Sequence, residues 1–374
     1  MKNITHRQIC DLRRVFVVDN VMIRKFTLEY LRFQKNIDNI TEMLIGSVVM
    51  FLKKTAMFVA LACSVSFAGM ANAETTIQVG HGAADTYHMH KAWVKFKEII
   101  ETESDGEVRV DIFPNGQIGG DRELTESVQS GVIDMTAPVV EVMAGWDPAF
   151  SIPGLPYTFA NRADALDALY GEFGDMLLNR VEDYGIKGLG WMENGIRNIT
   201  SNVGPIEKPA DLEGVKLRTM QVEAHMDAFA AMGANPTPMS FNEVYSALQQ
   251  GVVDAQENPL GHIYSSRFYE VQKFLTLSGH VYSTHMVLAN MDFYNNLSEK
   301  NRKLVNSALK RAIDYQQDVI ASEELDQLKA IEAAGVNVTR LNDAEIGAFQ
   351  KVTAPIRDKY FELVDTKLIQ ALKK

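Results

Sequence analysis

Cysteine is almost missing from this chain. Only Cys10 and Cys63 occur among 374 residues, and both precede Ala73. The body from residue 74 onward therefore has no disulfide scaffold, no zinc–cysteine site and no cysteine nucleophile. Low-complexity tracts and blocks of like charge are also missing, as are a G-x-S-x-G elbow, a phosphate loop and a paired-carboxylate motif. The glycines of Gly185-Ile-Lys-Gly-Leu-Gly190 lead into a strand instead of joining strand to helix, which argues against a dinucleotide loop. The lack of catalytic patterns weighs against an enzyme. Positive charge is scarce: 37 lysines and arginines face 48 acids, a net charge of -11. Residues 74–374 hold 27 bases and 43 acids, a net of -16, which argues against nucleic acid and anionic lipid as partners. Against that background a lone arginine in a cleft stands out. The length suffices for two ordinary domains.

Long hydrophobic runs are confined to one place. Residues 50–73 carry Lys53 and Lys54, a short apolar core from Thr55 to Ala68, and Ala71-Asn72-Ala73 as an A-x-A cleavage site. This reads as a secretory signal, with a core too short for a membrane span. A signal should open a chain, so the expected start is Met50, with residues 1–49 a mis-started extension. Both stretches are left out of the fold reading.

From residue 74, strands and helices alternate. Strands are expected at Thr75–Gly80, Val108–Phe113, Ile133–Pro138, Lys187–Met192, Val215–Met220, Ala255–Asn258 and Val281–Ala289. Tyr87–Glu103 reads as a helix with Met89, Trp93, Phe96 and Ile100 on one face. Asp121–Ser130 and Ala163–Tyr184 also read as helical. Ser298–Ala334 lacks glycine and proline and keeps apolar residues at helical spacing. A helix of that length spans on the order of 50 Å, enough to brace two domains. Asn342 with Glu345 opens a further helix, which Pro355 is expected to break. One echo recurs: Ser127-Val-Gln-Ser-Gly-Val-Ile-Asp134 resembles Ala247-Leu-Gln-Gln-Gly-Val-Val-Asp254. Each is a helix end, a C′ glycine and a strand opening on aspartate. That fits either a common βα idiom or two similar domains sharing a cleft.

The stretch Pro209–Asn258 holds the candidate chemistry. Arg218 lies on a strand, with Lys216 and Met220 on its face and Leu217 opposite. Its planar fork matches a carboxylate with two parallel hydrogen bonds. Taken alone, such an arginine is more often a structural ion pair, and Arg197 in G-I-R-N-I-T-S-N carries the same ambiguity. Ser240 and Glu243 form a capping box, with Met239 and Val244 as the staple. The helix start offers N–H groups to an anion, and Phe241 sits in its first turn as a wall or as core. His81, His88 and His90 match no firm zinc spacing.

These segments resemble the solute-binding proteins of tripartite ATP-independent periplasmic (TRAP) transporters, of the C4-dicarboxylate (DctP) and sialic-acid-binding type. The motifs are F-P-N-G-Q-I-G-G-D-R-E at 113–123, I-P-G-L-P-Y-T-F at 152–159, P-A-D-L-E-G-V-K-L-R at 209–218, A-N-P-T-P-M-S-F-N-E-V-Y-S-A-L-Q-Q-G-V-V-D-A-Q-E-N-P at 234–259 and F-Y-E-V-Q-K-F at 268–274. The resemblance covers nearly all of 74–374. It implies an α/β fold, a two-lobed periplasmic-binding-protein-like clamp with a hinge and a long bracing helix. The implied lobes are 74–195 plus about 283–322, and 196–282 plus about 323–374. It implies a periplasmic protein, without cofactor or metal, that closes on a small organic acid and delivers it to a small and a large membrane subunit. Carried over residue by residue, Arg218 is the carboxylate clamp and Arg197 a second arginine. Asn258 is a ligand-binding amide, Phe241 a pocket aromatic, and Asp121 and Glu141 polar pocket groups. The loop from His81 to His90 departs from better-known members, and His88 is the candidate there for the ligand's far end. Sugar acids and C4-dicarboxylates both fit. A sensor component, or an enzyme on a similar scaffold, are the competing readings.

Overall fold

Two βαβαβ runs, offset by about 120 to 140 residues, build the protein. They appear in a computed structural model that describes residues 75–373 and the isolated Glu29. The signal reading for 50–73 and the extension reading for 1–49 lie outside the described residues. The first run is β1 (Thr75–Gly80), α1 (His88–Glu103), β2 (Val108–Phe113), α2 (Asp121–Gln129) and β3 (Met135–Thr136). Then come α3 (Arg162–Leu169), α4 (Glu172–Arg180) and the long strand β4 (Ile186–Ser201). The second run is β5 (Lys216–Thr219), α5 (Glu223–Ala231), β6 (Asn235–Pro238), α6 (Val244–Gln249) and β7 (Ala255–Pro259). It is followed by α7 (Leu260–Ser265), β8 (Phe274–Asn290), α8 (Met291–Asn296), α9 (Glu299–Ala333), β9 (Asn337–Arg340), α10 (Asp343–Glu362) and α11 (Thr366–Leu372).

The sheet order β2-β1-β3-β8-β4-β7-β5-β6 is a palindrome of the two runs, and β9 pairs with β8. In each run the first strand is central and parallel to its two followers. The sequence echo is thus a structural one. Gln78 N donates to the Asp134 carboxylate at 2.7 Å and Lys216 N to that of Asp254 at 3.1 Å. Gly131 and Gly251 both hold left-handed backbone, φ 73° and 69°.

The antiparallel pair β4 and β8 crosses from one half to the other, and its register shifts between Gly188 and Gly190, Glu193 and Gly195, and Arg197 and Ile199. Such bulges bend a strand locally. The middle one needs glycine, because Gly195 has φ +119°. Positions 195/196 and 282/283, where the sequence reading divides the chain, lie inside these two continuous strands. Helix α9 (35 residues) spans roughly 50 Å. Its Val305, Ala308, Leu309 and Ala312 pack with Ile77, Trp93 and Phe96. Its distal Ile331 packs with Val244, Leu248 and Phe268 of the other half. Helix α10 spans both as well: Phe349 joins Leu217 and Phe229, whereas Tyr360 joins the cluster of Phe173 and Trp191 together with Leu368 of α11.

Three expectations differ from the structure. The helix read across 163–184 divides at Gly171, where the chain turns so tightly that a Cβ on Gly174 would lie 1.7 Å from the Leu169 carbonyl. The strand read at 133–138 is regular only at Met135–Thr136; Pro138 lacks an N–H for the ladder, although its carbonyl still accepts from Met286 N at 3.0 Å. Pro355 stays inside α10; packing of Phe349, Thr353 and Tyr360 on either side offsets the roughly 3 kcal/mol such a proline costs.

Candidate functional site

The two halves meet closely beneath the starts of α2 and α6. A Cβ on Gly120 would lie 2.6 Å from Ser240 Oγ, and one on Gly116 would lie 2.0 Å from Asn242 Nδ2. The glycines of the 113–123 motif let these edges touch. Each start is closed by its own glutamate: Gly120 N donates to Glu123 at 3.1 Å and Ser240 N to Glu243 at 3.0 Å. The capping box expected at Ser240 is thus formed, and α6 beyond it has only 6 residues.

Behind this seam lies a cavity of about 60 Å³. The first run contributes Asp121 and Met89, the crossing strands Asn194, Arg197 and His285, and the second run Arg218, Phe241 and Asn258. Arg218 stands on β5 between β6 and β7, its backbone paired with Thr237 and Gln256. Nε and Nη2 both donate to the Met239 carbonyl, at 3.2 and 2.7 Å. Nη1 is buried without a partner, and the residue is 2% exposed. Burial lowers its pKa to about 10, which leaves it charged at neutral pH. One edge of the guanidinium is anchored and the other is open.

Arg197 is different. Nε and Nη2 form a fork with Glu257 at 2.5 and 2.7 Å, and Nη2 also reaches Asn258 Oδ1 at 3.2 Å. His280 Nε2 lies 3.1 Å from the same carboxylate. Burial works against both charges, but each outweighs that penalty for the other: Arg197 is shifted up, Glu257 far down. Arg197 lines the cavity with its charge already balanced. The Asn258 amide donates to Gln256 at 2.6 Å. The Asp121 carboxylate accepts from Val139 N at 3.2 Å, and burial raises its pKa to about 6.

The structure thus brings Arg218, Arg197, Asn258, Phe241 and Asp121 to one cavity. His88 and Glu141 sit behind the wall. His88 Nδ1 meets Gln316 Nε2 of α9 at 2.9 Å, and Gln316 in turn brackets the backbone of Glu193 at the β4 bulge. Glu141 is 1% exposed, lacks hydrogen-bond partners on both carboxyl oxygens and presses on Gly154. Burial raises its pKa to about 8. A raised folded pKa gives stability that is whole below the ordinary carboxylate range and lost as pH rises through about 8. Glu141→Gln should flatten that decline and gain a few kcal/mol at pH 9, at about 1.4 kcal/mol per tenfold difference in proton affinity. Urea melts at pH 5 and pH 9 measure it; equal slopes in both proteins would contradict the account.

The sequence reading passed over His262 and His285. His262 stacks on Tyr87 (ring centroids 3.8 Å apart, 12° between planes) and leans on Phe241 at 4.7 Å. His285 is 3% exposed with neither ring nitrogen paired. In the sequence His285 follows Ser283 and Thr284 in the strand read at Val281–Ala289, so its polarity did not set it apart. His81 and His90 touch each other at 3.1 Å, and among the described residues no group of three metal-ligating side chains is arranged to hold a metal.

Two lobes joined by continuous strands, with a cavity between them, define a binding protein of the hinged-clamp class. The chain belongs to the bacterial extracellular solute-binding protein family 7 (DctP), whose model matches residues 79–363; its fold is that of the TRAP solute-binding proteins. It is 32% identical over 306 residues to the 2,3-diketo-L-gulonate-binding periplasmic protein YiaO of Escherichia coli, covering 82% of this chain and 92% of that one. The sugar acid binding protein DctPAm of Advenella mimigardefordensis, solved with galactonate, superposes with a TM-score of 0.77 at 34% identity over 79% of this chain and 96% of its own. A TRAP periplasmic solute-binding protein of Shewanella oneidensis, solved with succinate, gives 0.78 at 29% identity over 80% and 98%. No described helix is long and apolar enough to cross a membrane.

Proposed function

We propose that this protein is the periplasmic solute-binding subunit of a TRAP transporter. It captures a small organic acid, a sugar acid or a C4-dicarboxylate, by an Arg218–carboxylate clamp and hands it to a small and a large membrane subunit. It binds its ligand without converting it. The observation that carries this reading is the unpartnered Nη1 of a buried, charged Arg218 at the cavity wall. An acid seated there touches both lobes, so it stabilises the closed form by contacts the open form lacks. Closure removes water and strengthens the ion pair. Asn258 and Phe241 flank the bound carboxylate, and Asp121 contributes from the opposite lobe.

A thermal-shift screen of the purified protein against organic acids tests this. A ligand at 100 times its dissociation constant adds about 2.7 kcal/mol, a rise of a few °C in Tm. Mass spectrometry after incubation should return the acid unchanged. A screen in which no carboxylate shifts the melt would refute the reading.

A further inference from the structure

We infer that His285 selects the ligand by reading a hydroxyl, which makes the preferred substrate a hydroxylated monocarboxylate in place of a C4-dicarboxylate. This rests on the Arg218 clamp proposed above and concerns another part of the same cavity wall. Three arginines line that cavity. Arg197 is neutralised by Glu257. Arg122 is exposed at the rim, beside the exposed Glu123, and donates to the Gln221 carbonyl at 3.2 Å. Arg218 alone among them is a buried cation with an unpartnered nitrogen. One such cation suits one carboxylate.

His285 stands on β8, bridged to Val139 across the strand, and lines the cavity with both ring nitrogens unpartnered. A neutral imidazole presents one donor and one acceptor. A hydroxyl presents the same pair and can answer it from either side; a carboxylate only accepts. Charging the ring would make it a carboxylate partner, but burial opposes that; the Pro138 and Ala137 carbonyls offset burial only in part, the nearby Arg197 adds to it, and its pKa falls to about 3. The remaining wall repeats the message. His262 is buried with Nδ1 unpartnered, and Met89, Val139 and Phe241 are apolar. Asp121 brings a carboxyl of its own. A second ligand carboxylate would be stripped of water against neutral groups and another acid, an arrangement that disfavours its charge.

Calorimetry on the purified protein tests this with galactonate, erythronate, succinate and the unsubstituted monoacid butanoate. The wild type should bind the better hydroxy acid at least 100-fold more tightly than succinate. His285→Leu should lose 10- to 100-fold for that hydroxy acid and less than 3-fold for butanoate, because a site built around a hydroxyl rejects its absence strongly. His285→Gln keeps a donor and an acceptor and should retain most of the selectivity, which also guards against misfolding of the leucine variant. Succinate binding more tightly than either hydroxy acid, or His285→Leu weakening both ligand types equally, would overturn the inference while leaving the Arg218 clamp in place. Failure of every acid to bind the wild type would instead remove the clamp and this inference with it.

Discussion

Arg218→Ala should weaken acid binding by roughly 2–5 kcal/mol, the cost of leaving a desolvated carboxylate without its charged partner. The side chain is held by the Met239 carbonyl through Nε and Nη2, so the guanidinium is positioned before the ligand arrives and little ordering entropy opposes binding. Arg218→Lys should also bind poorly, because an ammonium cannot hold Met239 and two carboxylate oxygens with one planar fork. Calorimetry measures both. The loss should fall equally on every acid the protein accepts, since all share the carboxylate. A variant that melts like the wild type and binds with unchanged affinity would remove Arg218 from the mechanism.

Arg197→Met should act on the fold before it acts on the ligand. It leaves Glu257 fully buried with His280 as its remaining basic partner, and breaking a buried pair in this way costs about 3–5 kcal/mol. Denaturant melts at neutral pH should show it. Replacing both partners, Arg197→Met with Glu257→Met, should recover most of the loss, because the uncompensated charge is gone. The pair also sets an acid limit. Glu257 has a depressed pKa, so its contribution is present above the ordinary carboxylate range and is lost as pH falls toward its folded value. The wild type should therefore lose stability in acid more steeply than the double variant. Equal acid profiles would show that the pair contributes nothing to stability.

Local rules carried the sequence reading a long way. The apolar face of α1, the capping boxes at Ser240 and Asn342, and the glycine-to-aspartate echo all rest on interactions within a few residues, and each has its counterpart in the structure. What escaped depended on distant partners. Short β6 and β9 exist because β5 and β8 offer them edges. Helix α10 survives Pro355 because both sides are buried elsewhere. At the site, sequence marked Arg218 and Arg197 as equal candidates. Their difference lies in Glu257, which is 60 positions from Arg197, against a backbone carbonyl for Arg218. His285 escaped notice because nothing in a strand pattern says which inward side chain meets a cavity. Glu141 and His88 are polar and near the site in sequence, yet packing against Gly154 and Gln316 places them behind its wall.

The crossing of β4 and β8 also dictates an order of assembly. The β1–β3 sheet is sealed on one side by residues Leu288 and Ala289 of β8, which leave the ribosome long after Thr136. Until then, the amino-terminal sheet has an unpaired edge, and until residues 305–312 follow it also lacks the face of α9 that covers Trp93 and Phe96. A chain that ends before about residue 312 should remain open and protease-sensitive, and completion must wait for contacts between residues far apart in sequence, the kind that make folding slow.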